Sequence, residues 1–246
     1  MKSMYDMDTV QIEITNACNN RCANCTRFVG HTTPYFMSFS KFKEAIDSMI
    51  GYPCMTGIMG GEPLLHPEFE KFCNYAIKTL HKWQLGLWTS LPSGYEHYRD
   101  VICKTFGNIF INDHTRGDIY HHPFLVGIEE VIPQKELMFV AINKCFFQES
   151  WSASINPHGA FFCEIAASMS MLFEKEFTGW KVENGWWWRT PKDFKEQIEK
   201  WCPRCGGALT LKRRISIGKD TDDISPKNID RLKGISKRVD AGKYDV

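Results

Sequence analysis

No stretch of this sequence approaches the roughly 18 consecutive apolar residues that a membrane span requires. The opening "MKSMYDMDTVQIEI" has no apolar run of the signal-peptide kind. A membrane partner and a secretory route are therefore not expected, and the sequence predicts a cytoplasmic protein. Charge of one sign is missing too: 30 Lys and Arg stand against 29 Asp and Glu, a formal net charge of +1. Such a chain has no field to gather nucleic acid or anionic lipid. No internal repeat or low-complexity tract interrupts it. What is left is 246 residues, 43% of them hydrophobic, enough for one large domain or one with a small appendage.

Cysteine is what the sequence has in quantity, at positions 18, 22, 25, 54, 73, 103, 145, 163, 202 and 205. Size and the missing secretion signal argue against a disulfide framework. In a reducing compartment, clustered cysteines point to metal or catalysis.

The densest cluster is "ITNACNNRCANC", with Cys18, Cys22 and Cys25 at C-x3-C-x2-C spacing. On a helix these positions would share a face and could be core thiols. The intervening Asn16, Asn19, Asn20 and Asn24 argue against that, because Asn competes for backbone hydrogen bonds and is a poor helix former. A loop at the C-terminal end of a strand is the better reading, and that end is where open α/β sheets and βα barrels build sites. Three thiolates there can wrap zinc or an iron–sulfur cluster. Either metal normally takes four protein ligands in a closed site, so three leave one position open.

The surrounding pattern is α/β. "TVQIEIT" alternates as a strand, "MSFSKFKEAIDSMI" has helical spacing behind Ser38 as N-cap, and "TGIM" is a second strand. A helix through Phe69–Leu80, the strand "LGLWTS", a helix over Tyr95–Phe106, and strands at "NIFIND" and "ELMFVAIN" continue the alternation. That order predicts a parallel sheet with helical crossovers. "SASINPHGAFFC" predicts a hairpin turning over Asn156–Gly159, and a short helix over Asp193–Lys200 leads into "CPRC".

C-x3-C-x2-C after the first strand, followed by "GGEP" (Gly60, Gly61, Glu62, Pro63) after the second, resembles the radical S-adenosylmethionine (radical SAM) superfamily. The resemblance implies a partial (β/α) TIM-like barrel over residues 1–142. It implies that Cys18, Cys22 and Cys25 hold a [4Fe–4S] cluster whose fourth iron is chelated by S-adenosylmethionine, with Gly60, Gly61 and Glu62 at the cofactor's amino group. Two departures stand out. Asn24 occupies a position usually aromatic, leaving its backbone to meet the adenine. "WTSLPSG" replaces a ribose-contacting motif, leaving the hydroxyls of Thr89 and Ser90.

Cys145, Cys163, Cys202 and Cys205 form a second set of four. "CPRCGG" by itself suits a zinc knuckle. Behind a radical SAM core the set resembles the twitch domain, a short form of the SPASM domain, over residues 143–210, with Gly159 in its hairpin and an auxiliary [4Fe–4S] cluster. The plan resembles the short radical SAM dehydrogenases and epimerases of aminoglycoside biosynthesis. It implies a sugar-like small-molecule substrate and a reducing partner such as flavodoxin or ferredoxin. Oxidation of a secondary alcohol, with the auxiliary cluster taking an electron, is the expected reaction. Epimerisation and maturation of a ribosomal peptide are alternatives, and a non-catalytic zinc-binding interaction protein is the alternative from another class.

Weaker candidates are Cys54 and Cys103 as hydrogen donors, with Cys73 read as core, and His158 and Arg189 as catalytic groups. "GWWWR" (185–189) suits either stacking on a ligand or a hydrophobic plug. "LKRRISIGK" (211–219) suits a phosphate or a solvated surface. Residues 211–246 are expected as a charged tail carrying a short surface helix.

Overall fold

The computed structural model describes residues 1–114, 119–215 and 220–246. Strand β1 (Thr9–Glu13) lies inside the sheet, with β2 (Met55–Met59), β3 (Leu85–Thr89) and β4 (Asn108–Ile111) following on one side, all parallel. Helices α1 (Phe39–Ser48), α2 (Phe69–Thr79) and α3 (Arg99–Thr105) make the crossovers. Ser38 caps α1 by accepting from the Lys41 N–H, as its position before the apolar run predicts. Phe42 of α1 stacks on Phe72 of α2 with ring centroids 4.1 Å apart, which locks the two helices together.

A two-residue strand, β5 (Tyr120–His121), and a one-turn helix, α4 (Ile128–Val131), come next. The strand expected at Glu136–Asn143 is a helix, α5 (Lys135–Ile142). Its Glu, Leu, Met and Ala are strong helix formers, and the continuous apolar run concealed the period. Met138 and Ile142, four apart, are buried, while Leu137 and Val140 are 59% and 55% exposed.

After α6 (Phe146–Ser150) the chain enters the sheet on the other side of β1. Strand β6 (Ala153–Asn156) runs parallel to β1, and β7 (Gly159–Phe161) pairs antiparallel with β6 through the expected hairpin. The sheet is open, in the order β4-β3-β2-β1-β6-β7. Helices α7 (Glu164–Phe173) and α8 (Lys195–Trp201) follow the hairpin, and α7 packs on it through Asn156, which donates to the Ala167 carbonyl.

Residues beyond Cys205 add β8 (Arg214–Ile215), antiparallel to β5, and β9 (Asp222–Asp223), parallel to β10 (Tyr244–Asp245), with α9 (Pro226–Leu232) and α10 (Lys237–Asp240) between them. This segment buries Ile224, Ile229, Leu232 and Val239, so α9 turns an apolar side inward. The last four residues of the basic stretch 211–219 lie outside the described residues. Among the described residues no helix is long and apolar enough to cross a membrane.

Candidate functional site

The alternation that marked β1 as a strand also marks its site. Thr9, Gln11 and Glu13 are as buried as Val10 and Ile12, because β1 is covered on both faces. The buried polar side chains need partners. Arg27, 3% exposed, supplies them: it donates to Gln11 Oε1 at 2.9 Å and lies 3.2 Å from Glu164 Oε1 and 3.6 Å from Glu13 Oε2. Burial works against the Arg27 charge, but Glu164 and Glu13 more than restore it. Burial also pushes the Glu13 carboxyl up, with Arg27 pulling against it. The sequence reasoning passed over Arg27; polar residues alternating through an interior strand were the signal for it.

Above this floor opens a cavity of about 500 Å³. Cys18, Cys22 and Cys25 line it beside Gly60 and Gly61, with Arg27, Glu164, Trp88 and His121 also in its walls. The sequence's two motifs therefore meet at one hollow beyond the C-terminal ends of β1 and β2. Burial pushes the Cys18 thiol up to about 12 and Cys22 to about 11, where Arg238 pulls the other way. Cys25 is raised by burial as well. The Cys22 sulfur lies 3.7 Å from His114 Nδ1.

Gly60 and Gly61 have a reason inside the protein. A Cβ on Gly60 would stand 2.2 Å from the Thr15 carbonyl oxygen, and one on Gly61 would stand 2.4 Å from that of Ala17. The cysteine loop rests on bare backbone there, tied by Gly61 N–H to Thr15 O at 2.8 Å and Glu62 N–H to Ala17 O at 2.7 Å. Glu62, 1% exposed, accepts from the Leu64 N–H, the Thr89 hydroxyl, and the Ser90 N–H and hydroxyl at 2.6–3.1 Å. Those four donors match the acceptor capacity of a carboxylate. Glu62, Thr89 and Ser90 thus form one knot joining the ends of β2 and β3, just behind the cavity wall. An ammonium reaching Glu62 would have to displace a donor, and the two hydroxyls, of Thr89 and Ser90, are the ones able to rotate.

Asn24, expected to offer its backbone to the adenine, is tied through its N–H and its side chain to the C-terminal segment. At φ 51° it gives its N–H to Asp222, and its side chain is held by Asp223.

Cys145, Cys163 and the Cys202/Cys205 pair, from three separate points in the chain, line one narrow cavity walled by Phe124, Phe147, Phe162, Met169 and Trp201. Gly207 completes it: a Cβ there would stand 3.4 Å from the Cys205 sulfur and 3.5 Å from that of Cys145. Burial raises all four thiols, Cys163 to about 12. Among the described residues no three His, Cys, Asp or Glu side chains converge as a single metal ion would require. A cubane cluster holds its thiolates farther apart than one ion does. Four thiols in a dry pocket, and three beside a hollow, are donor sets that suit such clusters.

The remaining candidates lie elsewhere. Cys54, Cys103, His158 and Arg189 do not line the large cavity. His158 packs at the hairpin with Nδ1 3.1 Å from the Ser170 carbonyl, and Arg189 lies over the Trp180 ring. Trp186 and Trp187 are a buried plug, with Trp187 donating to the Ser48 carbonyl at the end of α1, and Trp188 stacks on Tyr5.

No protein-family model matches the chain, and no curated protein matches it. Among solved structures, BtrN in complex with AdoMet and 2-DOIA superposes with a TM-score of 0.51 at 13% identity, over 81% of this chain and 92% of that one. BtrN in an open conformation gives 0.47 at 12%, over 83% and 90%. At such identity the likeness is one of fold: the parallel sheet and its crossovers are arranged as in a protein that binds AdoMet.

Proposed function

We propose that this protein is a radical SAM enzyme that oxidises a secondary alcohol of a sugar-like metabolite. The observation that carries the reading is the meeting of Cys18, Cys22 and Cys25 with Gly60 and Gly61 around one cavity. Residues 1–142 are then the partial barrel, its open sheet bearing the site, and 143–210 the twitch-like unit. The resemblance to BtrN, whose structure holds AdoMet and 2-DOIA, supports the fold side of the proposal.

In this reading the first three cysteines hold a [4Fe–4S] cluster with S-adenosylmethionine, and Cys145, Cys163, Cys202 and Cys205 hold a second. Bound there, the first supplies a carbon radical able to abstract hydrogen from a C–H bond, and the second supplies an acceptor for one electron. The chain's own contribution is position. The Glu62–Thr89–Ser90 knot keeps Gly60 and Gly61 against the cysteine loop. Arg27, Gln11 and Glu164 offer a polar floor for hydroxyl or amino groups. Trp88 and Trp151 add apolar surface to the cavity's sides.

Dehydrogenation is favoured over epimerisation because none of Cys54, Cys73 and Cys103 lines the cavity, so no lone thiol stands ready to return hydrogen. The test is anaerobic reconstitution followed by incubation with reductant, S-adenosylmethionine and candidate sugars. About eight irons per chain, formation of 5'-deoxyadenosine, and a product two mass units lighter than its substrate are expected. Colourless protein carrying zinc would end the proposal; a product of unchanged mass with one solvent deuterium would replace oxidation by epimerisation.

A further inference from the structure

The cysteine loop is held from outside by the C-terminal segment, which no motif in the sequence pointed to. Arg238, 4% exposed, is the centre of the hold. Its Nη1 donates to Asp222 Oδ2 at 2.8 Å, and both of its terminal nitrogens reach the Cys22 carbonyl at 3.3 Å. Asp222 in turn accepts the Asn24 N–H at 2.5 Å and meets His31 Nε2 at 2.9 Å. His31 is fastened at its other nitrogen to Ser236 at 2.8 Å, and its carbonyl accepts the Lys237 N–H at 2.7 Å. Independently, the Asn24 side chain makes two bonds to Asp223, at 2.6 and 2.9 Å.

We propose that the segment from Asp222 to Asp245 is a clamp on the cysteine loop, and that Arg238 is a positioning residue that fixes Cys22 and biases the potential of whatever cluster the loop binds. The part about potential rests on the reading of Cys18, Cys22 and Cys25 as cluster ligands; the clamp itself does not. Three observations favour the assignment. The planar guanidinium fork places one nitrogen between a carboxylate and a main-chain carbonyl and the second on the same carbonyl, a fixed geometry that lysine's single ammonium nitrogen does not reproduce. The pair is buried, so its charges are poorly screened from the nearby sulfurs. Asn24 tolerates the left-handed backbone that turns its N–H and side chain toward Asp222 and Asp223, which explains why an asparagine stands beside the third cysteine.

Arg238 and Asp222 carry opposite charges at one place, and that makes the proposal testable in sign. Hydrogen exchange of the full-length protein without metal reads the clamp. Arg238→Gln, Arg238→Lys and Asn24→Gly should each speed exchange of amides in residues 18–25 by roughly tenfold or more. Redox titration of the reconstituted protein, followed by electron paramagnetic resonance, reads the charge. Arg238→Gln should move the midpoint of the first cluster to more negative potential and Asp222→Asn to more positive. Loosening the loop alone would move both the same way. Unchanged exchange in all three variants overturns the clamp. Equal or same-signed shifts overturn the electrostatic role. Wild-type protein that binds no iron, yet shows the faster exchange in its variants, would keep the clamp and refute the cluster reading instead.

Discussion

The two cysteine groups present the same ligand atom in opposite surroundings. Cys18, Cys22 and Cys25 sit together on one loop and face a hollow lined by polar side chains. Cys145 and Cys163 stand at the N-termini of α6 and α7 and Cys202 and Cys205 on the turn that ends α8, and the four face aromatic walls with almost no room to spare. A short loop with three donors leaves a coordination position and space beside it. Four donors drawn from distant elements leave neither. In the proposed reading the contrast separates a place for chemistry from a place that stores charge or holds structure, and it can be attacked from either side.

The largest effect should come from the open group. Replacing Cys18, Cys22 and Cys25 by Ala should take 5'-deoxyadenosine formation below detection in a chromatographic assay and remove about half of the bound iron. Wild-type cleavage in that variant would erase the distinction.

Replacing the four enclosed cysteines by Ala should stop product formation yet leave part of the cleavage activity. Chelator challenge sharpens the point without mutation, because a narrow apolar pocket has less room for a chelator than the large polar hollow. Iron should leave the protein in two phases, and the fast phase should coincide with loss of S-adenosylmethionine binding. Coincident loss of both would mean that the two pockets are equally accessible.

Glu62→Gln tests how the open group is braced. A carboxamide nitrogen would point at the Leu64 N–H or the Ser90 N–H, so a main-chain donor loses its acceptor. A cost of about 1–3 kcal/mol in chemical denaturation is expected, with weaker S-adenosylmethionine binding if the ammonium also reaches this residue. Stability within error of wild type would show that the knot is dispensable.

The smallest effect belongs to the cysteines outside both groups. Cys103 is exposed and Cys54 half-buried, so serine at either should change stability by less than about 0.5 kcal/mol. Turnover should be unaffected. Loss of turnover in one of them would identify a hydrogen donor and favour epimerisation.

Much of this was legible in the sequence because it depends on short-range pattern. Helical spacing behind Ser38, the alternation of β1 and the Asn156–Gly159 turn are all local, and each stands where expected. The strand misassigned at Glu136–Asn143 shows the limit: an all-apolar run carries no period, and only burial of Met138 and Ile142 reveals the helix. The motif residues were readable by type. Their partners were not, because Arg27 finds Glu164 and Glu13, and Arg238 finds Cys22, through tertiary approach that no spacing encodes.

The clamp has a consequence for how the protein is made. Asn24 is bonded to a residue 198 positions later, and Cys22 to one 216 positions later. At ribosomal speeds of 5–20 residues per second, on the order of ten to forty seconds separate synthesis of the cysteines from synthesis of the residues that close over them. During that interval the loop stands unlatched, and its thiols are more accessible than they will be again. In the proposed reading, a cluster inserted during that interval enters a loop not yet held in its final shape, and the clamp then sets that shape around it.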